Sequence, residues 1–166
     1  MAAEVVTGRW TAVPPDDGVA VFLIGMRFNG LRKVGSWWPT VTAMPRMLRH
    51  LMTHPDAGLL GFHSWFGRTT IIVSYWRTAE DIRRFAADAD APHAAPWREF
   101  MQRVAGSGDV GIWHETYVVP AGNYEGIYSD MPRFGMAVAG EHVPVGPGSQ
   151  TWRQRMKLAK PAAAQT

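Results

Sequence analysis

The sequence has 166 residues, which is the size of one domain, and it contains no cysteine. The absence of cysteine excludes disulfides, zinc ribbons, Fe–S clusters and a cysteine nucleophile. The net charge is only +3, which is too small to indicate a nucleic-acid partner. Tryptophan is unusually frequent, with eight residues, and this predicts aromatic walls around a core, an interface or a ligand cavity.

The two ends of the sequence carry little targeting information. The start, MAAEVVTGRW, has no basic n-region, so we expect no secretory signal. The longest apolar run, 19–26, is much shorter than the ~20 residues that a membrane span needs. We therefore expect a cytoplasmic protein with no membrane partner. A short basic cluster near the C-terminus is typical of a solvated chain end, and it comprises Arg153, Arg155, Lys157 and Lys160.

The first half of the chain predicts one strand and one helix. Residues 1–18 form an N-terminal extension that ends in the turn signal PPDDG. The continuous apolar run 19–28 predicts a central strand buried on both faces. Apolar residues then recur at three and four positions over 37–52, which predicts an amphipathic helix capped by Ser36. Pro45 in its interior predicts a kink or a break.

The middle of the chain predicts a hairpin followed by helices. The segments 58–66 and 69–77 are strand-like and flank Gly67-Arg68, which indicates a β-hairpin. Thr78 is a good N-cap for the helix that begins AEDIRR. A second helical stretch, 97–104, follows two interrupting prolines.

A fourth strand at 110–119 completes a ferredoxin-like βαββαβ order within residues 19–136. In this α+β arrangement, two helices cover one face of the sheet and leave the other bare. An apolar sheet face is not left in water, so we expect a homodimer that packs two bare faces together, a dimeric α+β barrel. After this domain the composition shifts to Gly, Ala, Val and Pro, and we expect residues 137–166 to form an extended, weakly ordered C-terminal arm.

Two segments combine histidine with aromatic residues, FHSWFGR at 62–68 and IWHETY at 112–117. Because strand side chains alternate, His114 shares a face with Thr116, whereas Trp113, Glu115 and Tyr117 lie on the other face. We expect a cavity in which His63 or His114 takes a proton from a phenol or a carbon acid. Glu115, if buried, would be paired and would orient the base. The competing interpretation is that these are core or dimer-face residues bonded to backbone or water.

The remaining candidates have simpler explanations beside their functional ones. Arg68 is either a solvated turn residue or an anchor for a substrate carboxylate. His93 is either a loop histidine or a ligand to haem iron. The histidine spacings do not form a compact metal motif, and the sequence contains no dinucleotide, P-loop, zincin or nucleophile-elbow motif.

Together these segments resemble a known family. VFLIGMRFN, AMPRML, FHSWFGRTTIIVSYWRTAEDI, PHAAPWREF and SGDVGIWHETYVVPAGNYEGIYSDMP are similar to a bacterial and fungal family, long a domain of unknown function, that is described as monooxygenase-like. Its fungal relatives occur in polyketide biosynthesis, and the family is placed among dimeric α+β barrel proteins. This placement agrees with the arrangement expected from the order of the elements, in which each subunit of the dimer keeps a cavity between sheet and helices.

The resemblance also implies roles for individual residues. In cofactor-free members of the superfamily, Trp, Asn and Tyr side chains hold an aromatic polyol whose own carbanion reduces dioxygen, and Trp65, Trp113 and Tyr117 are the candidates for these roles. In haem-using members a helix histidine binds iron, and its counterpart here is His93, although Pro92 and Pro96 interrupt the segment.

Three hypotheses follow. The leading one is a small monooxygenase that acts without a cofactor on a hydrophobic, aromatic or polyketide-like substrate. The second is a haem enzyme with His93 as axial ligand and Arg68 near a propionate. The third is a non-catalytic dimer that binds a hydrophobic small molecule.

Overall fold

The computed structural model describes residues 4–160. Its seven strands are β1 (Val6–Val13), β2 (Val19–Phe28), β3 (Leu59–Trp65), β4 (Ile71–Trp76), β5 (Val110–Val119), β6 (Tyr128–Met131) and β7 (Glu141–Pro144). Its four α-helices are α1 (Val34–Thr53), α2 (Ala79–Ala87), α3 (Ala94–Arg103) and α4 (Trp152–Leu158). Two 3₁₀ turns, Pro55–Ala57 and Gly135–Val138, complete the elements.

The predicted ferredoxin-like arrangement is confirmed. The strands β2 to β5 form one antiparallel sheet in the order β3-β4-β2-β5. The bounds of β2 and β5 are those predicted from the sequence, and β3 and β4 form the expected hairpin. Antiparallel neighbours share a face, so the register assigns each side chain to one of two surfaces.

The first surface, the helix face, is covered by three helices. Ala20 and Trp76 of the sheet pack with Leu51 of α1 and Ile82 of α2, and a second cluster joins Met26 and Val110 to Phe100 of α3. The Thr78 hydroxyl accepts a hydrogen bond from the Asp81 N–H at 3.0 Å, which confirms this residue as the N-cap of α2. Within residues 4–160, no helix combines the length and the hydropathy that crossing a bilayer requires.

Helix α1 differs from its prediction at both the start and Pro45. Lys33, not Ser36, is the N-cap, and the Ser36 hydroxyl instead donates to Asp109 at 3.2 Å. The helix continues through Pro39 and Pro45 without a break. Each proline removes one N–H donor from the ladder, and packing at the two ends of α1, through Leu51 and through Trp37 and Val41, offsets that loss.

The second surface of the main sheet, the outer face, is not bare as expected. A separate antiparallel sheet in the order β6-β1-β7 covers part of it. Ala12 of β1 and Met136 and Ala137 of the Gly135–Val138 turn are buried in one cluster with Val19, and Val21 and Tyr75 pack against this cluster. Further along, Leu23 and Val73 remain half-buried. The chain therefore covers part of its own outer face. The sequence predicts that only the second subunit of a dimer would cover this face.

The segment after residue 136 holds regular structure where an extended arm was expected. It contributes β7, which pairs with β1, and α4, whose N-terminus carries a capping box of Thr151 and Gln154. The Arg155 guanidinium is buried and forms an ion pair with Glu125, so it is not part of a solvated basic end. Residues 1–3 and 161–166 of the predicted extension and arm lie outside the described residues.

Candidate functional site

A cavity of about 500 Å³ lies between the helix face and the helices α1, α2 and α3. This is within the range of small-molecule sites, and the walls are mostly aliphatic and aromatic. Its floor includes Phe22, Ile24, Ile72, Trp76 and Ile112 of the sheet. Its roof includes Met44 and Met47 of α1, Phe85 of α2, and Trp97 and Phe100 of α3.

Six polar side chains line this cavity: Thr40, Ser74, Arg83, His93, His114 and Thr116. The Ser74 hydroxyl is already engaged, since it donates to Phe22 O at 2.9 Å and accepts from Trp76 Nε1 at 2.9 Å. The Arg83 guanidinium is bound to the Glu80 carboxylate in an exposed ion pair, with Nε to Oε2 at 2.7 Å. These two groups fix the walls and leave their polar atoms little capacity for a ligand.

His114 projects into the cavity from β5, directly opposite Ile24 of β2. Its ring centroid lies 5.7 Å from that of Phe22 and is tilted against it. The side chain is exposed, and none of the described residues forms a hydrogen bond with its ring. Both imidazole nitrogens are therefore available to a ligand in the cavity.

His93 lines the same cavity from the N-cap of α3. Its Nε2 lies 3.3 Å from the Ala86 carbonyl, which requires this nitrogen to donate. The lone pair is then on Nδ1, which is buried without a partner and has no open surface. A ligand to iron must present its lone pair to open space, so the His93 ring as arranged does not fit an axial ligand.

His63 lies on the outer face, not in the cavity. Its Nε2 accepts a hydrogen bond from the Gly135 N–H at 2.9 Å, and its ring stacks on Phe134 with centroids 4.1 Å apart. Burial lowers the pKa of His63 below its usual value. The ring is thus a neutral acceptor that fixes the Gly135–Val138 turn to β3.

The other predicted site residues on the strands also lie on the outer face. Tyr117 OH donates to the Glu115 carboxylate at 2.5 Å, and this hydrogen bond raises the pKa of Tyr117. The Trp113 indole nitrogen lies against Gly25, where a Cβ would be only 2.7 Å away. Trp65 lies near Phe134, with ring centroids 6.0 Å apart.

Arg68 is in the loop between β3 and β4, and its Nε donates to Phe28 O at 3.3 Å. It does not line the cavity. Of the eight predicted site residues, the structure brings only His93 and His114 into the cavity.

Several cavity residues were not proposed from the sequence. Met44 and Met47 have the helical spacing of core residues, and nothing in the sequence singles out Phe22, Trp76 or Trp97 as site residues. Their pattern is that of ordinary core residues, and only the spacing between α1 and the sheet turns them into walls. No sequence signal distinguishes the two cases.

Comparison with known proteins places this architecture. A crystal structure of an aldoxime dehydratase in complex with butyraldoxime has the same fold, with a TM-score of 0.57 at 16% identity, over 93% of this chain and 44% of that chain. The chain is also 30% identical over 148 residues to Monooxygenase af470 of Aspergillus fumigatus. That alignment covers 76% of this chain and 52% of the relative, so the chain spans about half the length of the curated relative it matches.

Residues 19–136, which contain the whole main sheet and the helices that enclose the cavity, match a single family along their length. The chain belongs to the Monooxygenase af470-like family.

Proposed function

We propose that this protein is a small monooxygenase that binds a hydrophobic hydroxyaromatic or polyketide-like substrate in the cavity beneath α1, α2 and α3. The observation that carries the proposal is His114, an imidazole at the wall of an apolar cavity of about 500 Å³ whose two nitrogens have no hydrogen-bond partner among the described residues. A second support is the fungal relative, which is named as a monooxygenase.

His114 has the properties of a general base for this chemistry. An imidazole with a free lone pair can take the proton of a bound hydroxyl or carbon acid and then, as a cation, stabilises the substrate anion beside it. The electron-rich anion is the reductant for dioxygen, so that a ring CH₂ group and O₂ yield C=O and water. One oxygen atom enters the substrate, the other leaves as water, and the two hydrogens of the oxidised carbon balance that water.

The aromatic walls supply orientation. Trp76 is held by its hydrogen bond to Ser74, and Phe22 lies against the His114 ring. A flat substrate between α1 and the sheet would stack on the half-buried Phe22 ring, while the buried Trp76 ring supports the floor beneath it, and would direct a hydroxyl to His114.

Oxygen uptake tests the proposal. Purified protein is mixed with a panel of anthrones and hydroxynaphthalenes, and the consumption of O₂ and the formation of oxidised product are measured for the wild type, His114→Gln and His63→Gln. We expect turnover by the wild type, loss of about 10²- to 10⁴-fold in kcat for His114→Gln, and an unchanged kcat for His63→Gln. Equal rates for wild type and His114→Gln would contradict the assignment.

The haem hypothesis has its own spectroscopic test. Hemin is titrated into the protein, and the Soret band is followed for the wild type and His93→Ala. Because neither nitrogen of His93 presents a lone pair to the cavity, we expect no band that depends on His93. A band at one haem per chain that is lost in His93→Ala would replace the cofactor-free proposal.

We also propose a homodimer. The supporting features are the half-buried Leu23 and Val73 on the outer face and the exposed Tyr117 and Val118 on β5, an edge strand of the main sheet. A long apolar edge strand is usually covered. Light scattering at micromolar concentration should give twice the chain mass, and a monomer at all concentrations would contradict this proposal.

A further inference from the structure

The described residues that line the cavity include basic side chains but no acidic ones. Among the described residues that line it there is no aspartate or glutamate, whereas two imidazoles and the stem of Arg83 do line it. Glu80 is bound to Arg83 at the surface, and Asp81 is bound to Arg84 and to the Thr78 hydroxyl. Glu99 lines a small neighbouring cleft, not this cavity.

We propose that the cavity selects its ligand by charge: it takes neutral or acidic hydroxyl compounds and carboxylates, and it rejects ammonium compounds of the same shape. This inference rests on the proposed use of the cavity as the substrate site and names the substrate class. Transfer of an ammonium group into this apolar space removes its hydration, and none of the described lining residues offers a carboxylate to replace the lost water.

The opposite charge is treated differently. A phenolate or carboxylate in the cavity meets His114, which can carry the compensating proton. The hydroxyl of Thr116, two residues along the same strand and on the same face, is a further hydrogen-bond donor. An anion therefore gains a hydrogen bond from a group of opposite charge, whereas an ammonium group finds only uncharged acceptors, such as the imidazole lone pair and the Thr116 hydroxyl oxygen.

The test compares three ligands with one ring system. The dissociation constants of 2-naphthol, 2-naphthoate and 2-naphthylmethylammonium are measured by titration calorimetry in anaerobic buffer, so that binding is separated from turnover. We expect 2-naphthol and 2-naphthoate to bind at least about tenfold more tightly than the ammonium compound. Equal affinity, tighter binding of the ammonium compound, or no binding of any of the three would overturn the proposal.

A charge placed in the cavity provides the converse test. Met44→Glu and Met44→Gln differ only by a carboxylate at the roof, and circular dichroism verifies that both fold. We expect Met44→Glu to bind the ammonium compound at least about tenfold more tightly than Met44→Gln does. Gln102→Glu, which adds the same charge to an exposed position of α3 that does not line the cavity, should leave the three affinities unchanged. Unchanged selectivity in Met44→Glu would contradict the proposal.

Failure of the two proposals can be told apart. Charge-selective binding without oxygen uptake would leave this inference standing and reject the monooxygenase. Oxygen uptake with equal affinity for all three ligands would do the reverse.

Discussion

His63 and His114 lie on opposite faces of one sheet. On the outer face a row of paired residues crosses the four strands, from His63 through Val73 and Leu23 to Glu115. His114 pairs with Ile24 in the adjacent row, and both lie on the helix face. The two histidines therefore cannot serve one cavity, and their environments differ: the His114 nitrogens have no hydrogen-bond partner among the described residues, whereas the His63 ring is held by Gly135 and Phe134.

The first prediction concerns the pH dependence of stability. Burial lowers the pKa of His63 in the folded protein, so below about pH 6.5 the unfolded chain binds a proton that the folded chain does not. The free energy of unfolding should therefore fall as the pH drops from about 7.5 to 5.5. Protonation at Nε2 would also break the hydrogen bond from the Gly135 N–H. Urea unfolding across this range measures the effect.

A matched variant isolates the contribution of His63. His63→Gln keeps a hydrogen-bond acceptor without a titrating group, and the fall in stability should be shallower in this variant. The pKa of His142 is also lowered, by burial and by the Arg133 charge, so His63→Gln/His142→Gln should be shallower still. Identical slopes in all three proteins would contradict this account.

The second prediction concerns Gly25 on β2. A Cβ there would lie 2.0 Å from Thr70 O, a backbone atom that cannot move aside. Gly25→Ala should lower the free energy of unfolding by at least about 2 kcal/mol. Gly35→Ala in α1, where a Cβ meets nothing within 4 Å, should raise it by about 0.5–1 kcal/mol. Chemical denaturation measures the free energy of unfolding of both variants. A change of the same sign in the two would disprove the packing described at Gly25.

The third prediction concerns the ion pair that fastens α4. Arg155 binds the Glu125 carboxylate and donates to Gln150 O at 2.8 Å, and its side chain is only 9% exposed. Arg155→Met leaves the Glu125 charge unpaired in a partly buried place and should cost about 3 kcal/mol of stability. The double variant Arg155→Met/Glu125→Leu should cost less. A double variant at least as destabilised as the single one would show that the unpaired charge is not the cause.

The fourth prediction fills the cavity. Ala43 lines the roof on α1, and Ala43→Trp places an indole in the open space. The affinity for 2-naphthol should fall at least about tenfold, while the unfolding midpoint changes little because the space is not packed. Arg46→Trp, at an exposed position of the same helix that does not line the cavity, is the control and should bind normally. Full binding by Ala43→Trp would place the ligand elsewhere.

The main sheet was predictable because its signals are local. Each of its signals involves only a few neighbouring residues: the apolar run of β2, the turn of the hairpin and the N-cap at Thr78. All three predicted features are present in the structure. Strands β6 and β7 are four residues each and pair with β1, whose partners are more than a hundred residues away. Asp130 within β6 even has a positive φ of 51°, so neither pattern nor propensity indicates this sheet.

The site was predictable only in part. Alternation correctly separates His114 from Glu115, and the same rule places His63 with Trp65. The sequence does not show that the space between the helices and the sheet is partly empty, and so it does not show which face of the sheet carries the cavity. That depends on the height of α1 and α3 above the strands, which is set by packing at Leu51 and Phe100 and has no local signature.

A crystal structure of the protein with bound 2-naphthol tests the central claim, that the reactive site is the cavity at His114. We expect a naphthyl ring between α1 and the helix face, with its hydroxyl within hydrogen-bond distance of the His114 imidazole. A ring bound on the outer face beside His63, Trp65 or Tyr117, with the cavity empty, would contradict it.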